Sequence, residues 1–101
     1  GSTLTVAQLS SKKITAIAAI GNPKRFFDFL STLGIKLQRT QSFPDHYHYN
    51  AHDIPQNCDI ILVTEKDYAK LAKFNIDNIW VVLIKVRLDN PSLMEQIYNL
   101  I

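Results

Sequence analysis

Hydrophobic and polar positions along this chain of 101 residues predict four β-strands. Residues 14–20 and 59–63 carry continuous apolar runs, which are typical of strands covered on both faces in a parallel sheet. Residues 35–41 alternate between apolar and polar positions, and this predicts a strand with one solvated face near a sheet edge. Residues 79–88 are apolar at first and then alternate, so we interpret them as the last strand.

Helix boundaries follow two of these strands. Asn22 suits an N-cap, the proline after it suits the first helical position, and Gly34 suits the stop. Residues 64–73 predict a second helix, because Thr64 and Asp67 have the spacing of a capping box. Both helices carry apolar residues at helical spacing.

Two further helices are predicted. A short one falls at residues 51–54, where Pro55 limits it. Asn90 and Pro91 repeat the cap-plus-proline arrangement and predict a closing helix. That helix would bury Leu93, Met94, Ile97 and Leu100.

The order of elements predicts a single small α/β domain at residues 13–101. Strands that alternate with helices imply a mostly parallel four-stranded sheet with right-handed crossovers. We expect three layers, with helices on both faces and the predicted strands in the order 2-1-3-4. Residues 1–2 are interpreted as a cloning scar. Residues 3–12 are either a linker or an added edge strand.

Composition fits a folded domain and excludes several classes. Hydrophobic residues make up 47% and charged residues 20%, a globular rather than a disordered balance. A net charge of +2 gives no argument for nucleic acid, whose binders carry concentrated basic patches. Cys58 is the single cysteine, so no internal disulfide forms and a reducing compartment is expected. No apolar run approaches the ~20 residues that cross a bilayer, so we expect the chain itself to be soluble.

The candidate site lies where three loops leave the carboxyl ends of the strands, the edge at which open parallel sheets bind ligands. These loops contain Asn22, residues 42–49 and residues 64–67. Helix starts favour anions, so we hypothesise that this face meets a phosphorylated ligand. The alternative for Asn22 and Thr64 is that they only cap their helices. The candidate nucleotide- or substrate-facing residues are Asn22, Thr64, Glu65, Lys66 and Asp67.

His46 is the strongest candidate for proton handling, because imidazole titrates near neutral pH. Asp45 stands beside it, although an extended segment would point the two side chains apart. The alternative is an ordinary surface histidine. His48 and His52 complete a tempting set, but no regular element presents all three together, and we predict no metal site.

The chain contains no complete catalytic apparatus. It has neither a G-x-x-x-x-G-K-[ST] nor a G-x-G-x-x-G phosphate-binding sequence, and no G-x-S-x-G nucleophile elbow. This combination indicates one part of an enzyme rather than the whole.

Three motifs in order carry a family resemblance: AAIGNP at residues 18–23, FPDH at residues 43–46 and TEKD at residues 64–67. Over roughly residues 12–88 the chain resembles the C-terminal domain of the tetraacyldisaccharide 4'-kinase family. The resemblance implies transfer of the γ-phosphate of ATP, with Mg²⁺, to the 4'-hydroxyl of a tetraacylated glucosamine disaccharide 1-phosphate. The product is lipid IVA, a lipid A precursor of Gram-negative bacteria. The reaction is placed at the cytoplasmic face of the inner membrane, where the enzyme is peripheral.

The same resemblance implies roles for particular residues. Asp45 and His46 face the active site, and the histidine assists removal of the sugar hydroxyl proton together with an aspartate of another domain. Residues 64–67 line the same face. The implied partners are an N-terminal P-loop domain of the same polypeptide, the lipid A precursor and the membrane surface, with no nucleic acid. Because the P-loop domain is missing here, we expect the isolated chain to be inactive and to hold no cofactor.

Two other functions compete with the kinase interpretation. One is a non-catalytic α/β module that docks a protein partner through the same edge; a P-loop upstream in the same reading frame would argue against it. The other is a phospho-acceptor signalling domain. That class needs an acidic cluster after the first strand, where this chain has Gly21, Asn22 and Pro23, so it is disfavoured.

Overall fold

The computed structural model describes residues 2–86 and 93–99, with side chains for residues 4–83, and contains one six-stranded sheet. Its strands are β1 Ser2–Leu4, β2 Ile14–Ala18, β3 Arg39–Ser42, β4 Ile60–Val63, β5 Ile79–Val86 and β6 Leu93–Asn99. The α-helices are α1 Pro23–Thr32 and α2 Glu65–Leu71. Single 3₁₀ turns lie at Ala7–Leu9, Ala51–Asp53 and Ala72–Phe74. None of the described helices combines the length and apolar character that a membrane crossing requires.

The strand order is β1-β6-β5-β4-β2-β3. Within it β3, β2, β4 and β5 are parallel neighbours. These are the second, first, third and fourth of the predicted strands, so the predicted order 2-1-3-4 is confirmed. β6 runs antiparallel to β5, and β1 pairs antiparallel with β6. The first residues therefore form an edge strand, followed by a 3₁₀ turn at Ala7–Leu9.

The two helices cover opposite faces of the sheet, as the predicted three-layer domain requires. Alternate residues of β2 separate the two cores, with Ile14 and Ala16 on one side and Ile17 on the other. Helix α1 contributes Phe26 and Leu30 to the first core. Helix α2 and the turn after it cover the second core with Leu71 and Phe74, and the loop after β3 adds Tyr49 and Ile54.

The predicted helix signals are confirmed in detail. Asn22 Oδ1 accepts a hydrogen bond from the Arg25 amide at 3.2 Å, with proline in the first position of α1. Gly34 adopts φ +89° just after α1, a conformation that glycine adopts without strain. Thr64 Oγ1 accepts from the Asp67 amide at 3.2 Å and so caps α2.

The predicted closing helix is wrong, because Leu93–Asn99 forms strand β6. The spacing of Leu93, Met94 and Ile97 suits a helix locally. However, β5 would present a whole edge of unpaired backbone groups without β6, which pairs with it from Val81 to Val86. Tertiary pairing of this kind overrides local preference. The predicted cap and last core residue, Asn90, Pro91 and Leu100, lie outside the described residues.

The predicted strand at residues 35–41 begins later, at Arg39. Ile35 is buried in the core, 4% exposed, and its amide still bonds to the Leu30 carbonyl at the end of α1. These residues therefore lead away from the helix before the sheet ladder starts. β3 is a fully exposed edge strand among the described residues, in agreement with the predicted edge position.

Candidate functional site

Loops after β2, β3 and β4 meet at one edge of the sheet. Ala18 at the end of β2 pairs in register with Ser42 at the end of β3. The Phe43 amide then donates to the Ala18 carbonyl at 2.9 Å, which fixes the start of the next loop. β4 ends at Val63 beside them, and Thr64 opens α2. The parallel topology therefore gathers the three predicted segments.

Asp45 and His46 form the tip of the loop after β3. The Tyr47 amide donates to the Pro44 carbonyl at 3.0 Å, which closes a turn around them. His46 has φ +63°, so the segment is not extended and the two side chains do not diverge. His46 Nε2 lies 3.8 Å from Asp45 Oδ2. The imidazole is 92% exposed at the tip, so its nitrogens are accessible to an incoming group.

The tip also approaches the loop after β2. A Cβ atom placed on Gly21 would lie 3.8 Å from Asp45 Oδ2. The Asp45 carboxyl group therefore lies close to Gly21, the residue before Asn22. The structure thus brings the tip with Asp45 and His46 to the loop that contains Asn22, whose own side chain caps α1.

An aromatic cluster supports the tip from below. Phe43 stacks on Tyr47 with ring centroids 4.7 Å apart, and Tyr49 meets both rings edge-on at 5.1 and 5.5 Å. Tyr49 is only 3% exposed. The Tyr49 ring therefore packs the loop against the body of the domain and has no exposed face on which a ligand could stack.

Asp67 joins the three segments from inside the protein. Its side chain is fully buried, and Oδ1 accepts hydrogen bonds from the Ala19 amide and the Tyr49 hydroxyl, both at 3.0 Å. Oδ2 accepts from the Thr64 hydroxyl at 2.8 Å. Burial raises the pKa of Tyr49 far above its ordinary value, and the charge of Asp67 and the hydrogen bond from Tyr49 to Asp67 add to this shift. The Tyr49 hydroxyl therefore keeps the proton that it donates to Asp67.

Asp53 accepts a second set of hydrogen bonds from the same loop. Tyr47 donates from its hydroxyl to Asp53 Oδ2 at 2.9 Å, and the Asn50 amide donates to the same oxygen at 2.8 Å. The backbone hydrogen bond from Asn50, aided by the one from Tyr47 and by the charge of His52, lowers the pKa of Asp53, although burial opposes this shift. His52 Nε2 lies 3.6 Å from Asp53 Oδ1.

The remaining candidates lie around a shallow cleft beside the edge. Glu65 and Lys66 are exposed at the start of α2. With Thr64 they line a cleft of about 380 Å³ whose other walls are the apolar side chains of Ile20, Phe26 and Val82. The structure therefore separates the TEKD segment into two exposed members, Glu65 and Lys66, and a buried one, Asp67.

Metal ligands are not gathered in the part of the chain that the structure describes. No group of three histidine, cysteine, aspartate or glutamate side chains there is close enough to hold an ion. His48 is exposed on the same loop as His46, and His52 is 80% exposed beside Asp53.

Sequence reasoning missed the supporting hydrogen bonds. Tyr49 and Asp67 are 18 residues apart, and no periodicity or motif signals such a pair. Tyr47 and Asp53 are only six residues apart, yet they are joined across a turn and a 3₁₀ segment rather than along one regular element.

Fold and site together define an open α/β domain that presents an exposed Asp-His pair at one edge of its sheet. The family described as tetraacyldisaccharide-1-P 4'-kinase matches residues 2–101, and the chain belongs to that family. No solved structure matches it significantly.

Curated relatives agree with this assignment. The tetraacyldisaccharide 4'-kinase of Chromobacterium violaceum is 40% identical over 96 residues, 90% of this chain and 28% of that protein. The protein of the same name from Neisseria gonorrhoeae is 40% identical over 93 residues, covering 91% of this chain and 26% of its own length. The one from Haemophilus influenzae is 48% identical over 69 residues, or 66% of this chain and 21% of the relative. The chain thus spans about a quarter of their length and corresponds to their C-terminal part.

Proposed function

We propose that this chain is the C-terminal domain of an ATP-dependent lipid kinase that phosphorylates the 4'-hydroxyl of tetraacyldisaccharide 1-phosphate to give lipid IVA. Membership of the family supports the reaction class. In the full-length enzyme the domain works at the cytoplasmic face of the inner membrane, with the lipid A precursor as acceptor.

ATP and Mg²⁺ belong to another part of the polypeptide in this proposal. The described residues offer no clustered oxygen ligands, and the sequence contains no phosphate-binding glycine loop. Phosphoryl transfer depends on such groups. An N-terminal P-loop domain supplies them, and the present chain completes the site by placing its carboxyl edge against that domain. Alone, it is inactive.

The observation that carries the proposal is the exposed Asp45–His46 tip. The oxygen of the sugar hydroxyl attacks the γ-phosphate while His46 accepts the hydroxyl proton. The phosphoryl group is transferred to the sugar, and ADP is the leaving group. The Oδ2 atom of Asp45 lies 3.8 Å from Nε2 of His46, and this carboxyl oxygen helps to orient the imidazole. Proton transfer of this kind requires a base within hydrogen-bond reach of the hydroxyl.

Replacing His46 by alanine in the full-length enzyme tests this role. We expect kcat to fall by roughly 10²- to 10⁴-fold, the usual loss when a general base is removed. His48→Ala is the matched control, because His48 is exposed on the same loop, and its kcat should stay near that of the unmodified enzyme. An unchanged kcat in His46→Ala, measured with ATP and the lipid acceptor, would remove His46 from the mechanism.

A further inference from the structure

The most deeply buried polar group at the candidate site is not at the tip that carries His46. Asp67 is 0% exposed, and its two carboxyl oxygens accept three hydrogen bonds from three different segments. One donor is the Ala19 amide just after β2, one is the Tyr49 hydroxyl and one is the Thr64 hydroxyl. Since the side chain is 0% exposed, Asp67 has no exposed oxygen to offer a ligand.

The loop with the Asp-His pair is held at both of its stems. Its first stem is fixed by the backbone bond from Phe43 to Ala18 at 2.9 Å. Its second stem is fixed by the side chain of Tyr49, whose hydroxyl bonds to Asp67 at 3.0 Å. His46 lies midway between the stems along the chain, and the rings of Phe43 and Tyr49 meet beneath it with centroids 5.1 Å apart.

We infer that Tyr49 and Asp67 are positioning residues for His46. The Tyr49–Asp67 hydrogen bond connects the second stem of the loop to the end of β2 and the start of α2, and so sets the height of the imidazole above the edge. This inference rests on the proposed function, because it assigns Tyr49 and Asp67 a catalytic effect that acts only through His46.

The physical basis is the steep dependence of proton transfer on geometry. A shift of about 1 Å in a catalytic group can cost on the order of 10²-fold in rate. The imidazole is almost fully exposed beside Asp45, so its position is set mainly by the backbone of the loop. Releasing one stem therefore lets the tip move while the aromatic packing, which depends on ring contact, remains.

Tyr49→Phe in the full-length enzyme tests the inference, because it removes the hydroxyl and keeps the ring. We expect kcat to fall about 10- to 100-fold, with KM for ATP little changed. Partial unfolding would also lower the apparent kcat at unchanged KM, so kcat is expressed per folded enzyme, with the folded fraction taken from the melting curve of each variant. Asp67→Asn is a second variant and should act in the same direction.

Ile17→Val is the matched control, because Ile17 is 1% exposed in the same core cluster as Tyr49 and the change removes one methyl group. It should lower the melting temperature by an amount comparable to Tyr49→Phe and leave kcat unchanged. If Tyr49→Phe behaves like this control, with a lower melting temperature and normal kcat, the inference is overturned.

A double-variant cycle separates this inference from the proposed function. If Tyr49 acts through His46, then adding Tyr49→Phe to His46→Ala should cost no further activity, because the group being positioned is already gone. A second 10- to 100-fold loss in that background would show that Tyr49 acts independently and would refute the inference alone. Normal kcat of His46→Ala itself would instead remove the proposed role of His46, on which the inference rests, whereas a full-length enzyme without lipid-kinase activity would overturn the proposed function.

Discussion

Single side chains at this edge differ in what they do, although several share the same chemistry. Asp45 is 53% exposed at the loop tip, Asp53 is 9% exposed beneath it and Asp67 is fully buried. Of the three, Asp45 alone is accessible to a ligand together with His46. The other two accept hydrogen bonds from tyrosine hydroxyls of the same loop, so their contribution is to structure.

Asp53 should make the stability of the domain depend on pH. Its pKa is lowered in the folded protein, chiefly by the backbone hydrogen bond from Asn50. A lowered folded pKa means that the unfolded chain binds the proton more readily, so the ionised side chain stabilises the fold above the unfolded value of about 3.9. That stability is lost as the pH falls through the folded pKa. The unfolding free energy should therefore be higher for the unmodified chain than for Asp53→Asn at neutral pH, and the difference should close in acid.

Urea denaturation of both proteins from about pH 7 down to about pH 3 measures this difference. Tyr47→Phe serves as the comparison, because it removes the smaller of the two favourable hydrogen bonds and should reduce the difference only in part. A gap between the unmodified chain and Asp53→Asn that stays constant down to the lowest pH would show that ionisation of Asp53 contributes nothing.

At the scale of elements, the sequence specifies what is local. The caps of α1 and α2 and the four parallel strands follow from residue types at fixed short spacings, and the structure confirms them. Strand β6 could not be predicted, because its conformation is decided by the free edge of β5 rather than by its own pattern. The closeness of Asp45 to His46 depends on a positive φ at His46, and no rule on residue type demands that conformation there.

Gly34 offers a test of how the end of α1 is built. Its φ of +89° is strained for any residue with a side chain. There is nevertheless room for one, because a Cβ atom added to Gly34 would lie 4.0 Å from its neighbour Val6 Cγ1. Gly34→Ala should therefore lower the unfolding free energy by about 1–2 kcal/mol through backbone strain alone.

Gly21→Ala provides the matched comparison for this measurement. A Cβ at Gly21 meets only ordinary contact, 3.8 Å from Asp45 Oδ2, and no left-handed φ is required there. Chemical denaturation should show a clearly smaller loss for Gly21→Ala than for Gly34→Ala. Equal losses would mean that the backbone conformation at Gly34 is not what limits the substitution.

At the scale of the whole molecule, the described residues form one folded domain whose candidate site lies on an open edge of the sheet. Two cores on opposite faces of the sheet stabilise it, so the packing of the described residues does not call for a second domain. The proposed function does call for one, because the exposed tip and the cleft at Glu65 and Lys66 lie on an open edge. In that proposal the enzyme is divided: this quarter of the relatives' length supplies His46, whereas the rest holds the nucleotide.

This division predicts how nucleotide affects stability. A ligand that binds only the folded state raises stability by about 2.7 kcal/mol at a concentration of about 100 Kd. Saturating MgATP should therefore raise the melting temperature of the full-length enzyme and leave that of the isolated chain unchanged, with MgCl₂ alone as the control for both. A rise in the melting temperature of the isolated chain that requires ATP would place a nucleotide site among its own residues. Turnover of ATP and lipid acceptor by the isolated chain would contradict the same proposal more directly, because a domain without phosphate ligands can supply a proton acceptor but cannot hold the group that is transferred.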